Sequence, residues 1–127
     1  MSVATDKYRG TGEYFLVFNE LVKAARHRGS ATYQELADLI GLPVTGDYMG
    51  SELGHLLGAI SEDQHRLNKP LLSAVAVKVD GLPGKGFFDL AKNLGKYSGS
   101  ADRDQQHLFW ETEIKQVYDL WKRKFSP

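Results

Sequence analysis

The chain has 127 residues, is 42% hydrophobic and 25% charged, and balances 16 basic against 16 acidic side chains. That length suits one domain, the apolar share lies above the level at which chains stay disordered, and zero net charge excludes a uniformly basic nucleic-acid coat or an acidic tail. The absence of cysteine excludes a disulfide scaffold, a thiol nucleophile and every cysteine-ligated zinc or iron–sulfur centre.

No apolar run approaches the roughly 18 residues of a membrane span, and Met1–Gly12 lacks the apolar stretch of a secretory signal. The expectation is a cytoplasmic protein with no membrane partner. It comprises a flexible segment over 1–12, a core over 13–95 and a C-terminal amphipathic helix over 102–125.

Tyr14, Val17, Phe18, Leu21, Val22 and Ala25 recur at spacings of three and four, which predicts a helix over 13–27. Arg26, His27 and Arg28 suit its negative end, and Gly29 suits its termination. Thr32-Tyr33-Gln34-Glu35 reads as a capping box, with Thr32 as N-cap and Glu35 at the third helical position. The short helix that follows buries Leu36, Ala37, Leu39 and Ile40 and stops at Gly41, before Pro43. After a turn over 42–47, a third helix is predicted over 48–61 with Leu53, Leu56, Leu57 and Ile60 inside. Gly50, Gly54 and Gly58 share one of its faces. Each costs a helix about 1 kcal/mol against alanine, so a helix, a ligand or DNA is expected to approach that face.

Leu71–Val79 is rich in β-branched residues and predicts a strand. Asp80–Gly86 is dense in turn residues. Phe87-Phe88 either begins a short return strand or leads straight into a helix over 89–94. A mobile loop over 96–101 follows. The last helix, over 102–124, carries Trp110, Ile114, Val117 and Trp121 in one stripe.

Two short helices joined by a tight turn, followed by a hairpin, match a winged helix-turn-helix. The predicted fold is mainly α with a small β-hairpin (α+β), flanked by N- and C-terminal helices. The wing pairs 71–79 with a segment near 86–88.

The segment Thr32-Tyr33-Gln34-Glu35-Leu36-Ala37-Asp38-Leu39-Ile40-Gly41 resembles the opening of the helix-turn-helix in the C-terminal domain of alkylguanine-DNA alkyltransferases and alkyltransferase-like proteins. The resemblance extends over about 50 residues and is specific in its first ten. It implies a shared winged helix-turn-helix and contact with DNA. It does not imply repair chemistry, because the reactive cysteine is absent and Leu71-Leu72-Ser73-Ala74-Val75 occupies the corresponding stretch. The family's nucleotide-flipping arginine falls on Asp47 or Ser51, neither of which is a cationic wedge.

A helix placed in a major groove reads bases with its outward residues, here Tyr48, Ser51, Glu52 and His55. Lys78, Lys85 and the amides of Gly84 and Gly86 are candidates for holding a phosphate, with Arg66 and Lys69 near the same edge. The alternatives are a structural third helix and a plain hairpin with solvated lysines. The basic excess of the second half is slight, so duplex DNA binding calls for a homodimer or a partner that adds charge. Phe88, Trp110 and Trp121 are candidates for a dimer or protein interface, or else cover the core. As a protein interface, they would make the domain an adaptor. Glu52/His55 and Glu62/His65 have a spacing used in di-metal bundles but lack the further carboxylates, so no metal is expected. No serine sits in a nucleophile elbow, so neither catalysis nor a cofactor is expected.

Overall fold

The computed structural model describes residues 7–43, 46–99 and 102–122. The elements run α1 (Gly12–Arg26), β1 (Ala31–Thr32), α2 (Tyr33–Leu39), α3 (Gly46–Arg66), a 3-10 turn (Leu72–Val75), β2 (Ala76–Val77), α4 (Lys85–Asn93) and α5 (Arg103–Trp121). The molecule is mainly helical with a two-stranded parallel sheet. No helix among the described residues is long and apolar enough to cross a membrane.

α1 starts where Thr11 Oγ1 accepts the Tyr14 N–H at 3.2 Å. Tyr14, Val17, Leu21 and Ala25 form its buried stripe. Arg28, not Gly29, takes the left-handed conformation after it, at φ 55°. The capping box of α2 is complete: Thr32 Oγ1 accepts the Glu35 N–H at 3.1 Å, and Glu35 Oε1 accepts the Thr32 N–H at 2.8 Å. Gly41, at φ 78°, turns the chain away. Leu39, expected inside, is 39% exposed.

α3 continues to Arg66, one turn past the expected end, because Ile60, Ser61 and Gln64 extend its buried face. Asn68 then adopts φ 59°, and the Lys69 N–H returns to the Gln64 carbonyl at 2.9 Å.

The expected hairpin is absent among the described residues. Leu71 to Val77 are all buried, so this stretch lacks the one-sided burial of a wing strand. Side chains from elsewhere satisfy its backbone. The Leu71 N–H donates to Glu113 and the Ser73 N–H to Ser61, while the Ala74 carbonyl accepts the Trp110 indole N–H. A ladder partner is therefore needed only at Ala76–Val77, and β1 supplies it in parallel, with Ala31 opposite Ala76 and Thr32 opposite Val77. Residues 78–82 form a tight turn closed by the Lys78 N–H on the Leu82 carbonyl at 2.8 Å. Gly84 then caps α4, so Gly86, Phe87 and Phe88 are helical and no return strand forms.

The segment before α1 also differs from expectation. Lys7 and Tyr8 both donate to the buried Glu52, and Arg9 reaches Asp63, Glu62 and the Ala59 carbonyl. Residues 7–11 are thus strapped along α3. Residues 1–6 lie outside the described residues. In the loop after α4, Lys96 bonds Glu113 and Tyr97 is buried, so its first part is anchored, not mobile. Residues 100–101 and 123–127, the latter including the expected end of the last helix, lie outside the described residues.

The 3-10 turn lies at the centre, touched by α1, α3 and α5. α5 lays its aromatic stripe over this core. Tyr118 Oη–H donates to the Gly29 carbonyl at 2.8 Å, and Trp121 meets Phe18 edge-on at 6.2 Å.

Candidate functional site

The glycine face of α3 borders a groove of about 400 Å³. Its opposite wall is the start of α4, and Tyr33 at the start of α2 closes one end. A Cβ built on Gly50 or Gly54 would meet no atom within 4 Å. These glycines therefore do not permit a close helix contact; they keep space open. Leu53, Leu57, Phe87 and Leu90 supply apolar lining.

The polar lining of the groove is mixed: hydroxyls, an amide, one lysine and two carboxylates. Tyr33 Oη accepts the Gly84 N–H at 2.8 Å and keeps its own proton, and burial pushes its phenol pKa up. A Cβ on Gly84 would come within 3.1 Å of that oxygen, so a side chain there would require the phenol to shift. Ser73 lines the groove, bonded to Ser61 at 2.7 Å. Gly84 offers no side chain to cap α4, which leaves the first-turn amides of Lys85 and Gly86 without intrahelical acceptors. The charged residues of the groove are Lys85, Asp89 and Glu62, the last engaged by Arg9 at 3.2 Å.

Of the residues singled out from the sequence, Gly84, Lys85 and Gly86 meet the α3 glycines in this groove. Tyr48, 58% exposed, and Ser51 point outward from α3. His55 is half-buried beside Glu52, its Nδ1 at 3.6 Å from the carboxylate. Glu52, expected outside, is buried under the strap, and the hydrogen bonds from Lys7 and Tyr8 hold its pKa below the ordinary glutamate value. Arg66 pairs with Asp63 at 3.0 Å, and Lys69 lies 5.3 Å from the Trp121 ring centroid. Tyr48 and Arg66 are about 27 Å apart along the helix axis, too far to form one cluster. Lys78 borders a different cavity and pairs with Asp80 at 3.5 Å. Phe88 is buried, while Trp110 and Trp121 are half-buried and packed against the core.

Tyr33, Leu53, Ser73, Phe87 and Leu90 were not singled out as site residues. The glycine spacing was their only signal, since a face without side chains invites the question of what lies opposite. Among the described residues no group of three or more histidines and carboxylates could hold a metal ion. Neither a protein-family model nor a curated protein nor a solved structure matches the chain.

Proposed function

We propose that the chain is a non-catalytic DNA-binding module that presents α3 to the major groove and the Gly84–Gly86 start of α4 to the phosphate backbone. In this reading α2 and α3 are the helix-turn-helix. The 78–86 segment takes the place of the wing, although it carries no hairpin. The observation that carries it is the open, bulk-free face of Gly50 and Gly54 beside Lys85 and the uncapped amides of α4. Backbone amides and a lysine hold a phosphate, and small residues let a strand approach the helix. The resemblance of Thr32–Gly41 to the alkyltransferase helix-turn-helix points the same way. The groove suits one unstacked base, with apolar walls and hydroxyl donors in place.

The test is fluorescence anisotropy of a labelled duplex against salt. Salt-dependent binding is expected, with the slope reduced by about 1 in Lys85→Ala. A duplex with one unpaired base should bind more tightly than its fully paired parent. Gly54→Leu separates function from stability: it removes a helical glycine and should raise stability by up to about 1 kcal/mol, while filling the groove and weakening binding. Absence of salt-dependent binding at micromolar protein rejects the reading.

Balanced charge, with Asp89 and Glu62 lining the same groove, favours a second reading, a protein-interaction adaptor. It is supported if a partner binds through Leu90, independently of salt and of Lys85. A homodimer would double the cations offered to DNA, and sedimentation reads that directly.

A further inference from the structure

A second cavity of about 380 Å³ lies where the 78–83 turn, α4 and α5 meet, and shares no lining residue with the α3–α4 groove. Its walls include Pro83, Phe88 and Trp110. Trp110 is fixed in place by its indole N–H on the Ala74 carbonyl at 2.9 Å. Lys78 and Arg103 border the cavity from separate elements, and His107 lies beside Trp110 at 5.6 Å between ring centroids.

The charges around the cavity are unequally committed. Lys78 faces Asp80 at 3.5 Å, but both are more than half exposed, so that pair holds its lysine weakly. His107 pairs with Glu111 at 2.9 Å, also in solvent. Arg103 has no carboxylate partner among the described residues, and Asp104 is the only carboxylate in the lining. Two cations thus border the cavity beside apolar walls, Lys78 shared with the exposed Asp80 and Arg103 next to Asp104 in sequence. The volume falls within the range of about 300–1,000 Å³ typical of small-molecule sites.

We infer that this cavity is a binding site for a small aromatic anion, with its ring against Trp110 and Pro83 and its charged group between Lys78 and Arg103. An arginine fork recognises phosphate or carboxylate oxygens in two places at once, and the indole face provides the apolar half. The site is independent of DNA binding by α3.

The test uses the full chain carrying Trp121→Phe, which leaves Trp110 as its only tryptophan. Indole fluorescence is titrated with phenyl phosphate, inorganic phosphate and benzyl alcohol. Phenyl phosphate should saturate the signal, with each of the other two at least about tenfold weaker, because each lacks one half of the contact. Arg103→Ala, at an exposed position, should weaken phenyl phosphate about tenfold without changing the melting temperature. The inference is overturned if nothing saturates by about 10 mM. Equal affinity for inorganic phosphate, or an unchanged affinity in Arg103→Ala, overturns it as well.

Discussion

Glu113 shows how one side chain organises its surroundings. It is 3% exposed on α5, accepts the Leu71 N–H at 2.8 Å, and binds the Lys96 ammonium. Its removal leaves a buried amide and a largely buried cation unpaired. Glu113→Ala should therefore cost about 3 kcal/mol in urea unfolding, and Glu113→Gln distinctly less because its amide oxygen still accepts from Leu71. Glu52 contributes to the acid limb. Hydrogen bonds from Lys7 and Tyr8 depress its folded pKa, so its contribution is fully present above the ordinary value of 4.5 and is lost as pH falls through the lower folded value. Thermal melts from pH 6 downward should show a steeper loss below about pH 4.5 in the parent than in Glu52→Gln.

At the scale of elements, α3 is held on two sides, by the core and by the strap. Arg9 bridges Asp63, Glu62 and the Ala59 carbonyl with a side chain that is itself about a quarter exposed. Arg9→Ala should cost about 1–2 kcal/mol, allowing for solvent screening, and hydrogen exchange should speed up in Ala59–Arg66 before other parts of α3. The sequence was legible where an element is defined by its own residues. Thr32 and Glu35 mark the start of α2 because both halves of the capping box lie within four residues, and the stripes of α1 and α5 follow helical spacing. The hairpin failed for a non-local reason. The backbone of Leu71–Val77 bonds to Ser61, Trp110 and Glu113, residues far away in the sequence, so β-branched content alone misassigned it. Gly84-Lys85-Gly86 carried turn chemistry that serves equally for an uncapped helix start. The groove was half visible: the glycines of α3 marked one wall, but no periodicity announced α4 as the other.

For the whole molecule, distant parts of the chain meet at single points. Tyr33 and Gly84 stand 51 residues apart in sequence and are joined by one hydrogen bond, which ties α2 to the start of α4. Tyr33→Phe should cost about 1–2 kcal/mol of stability, since the Gly84 amide loses its acceptor, and should also weaken the proposed DNA binding. The latter loss should shrink at low temperature, where less disorder must be removed on binding. The phenol behaves as a spacer bolt between two jaws. With it in place the slot is set before anything enters; without it, each occupant would have to align the jaws for itself.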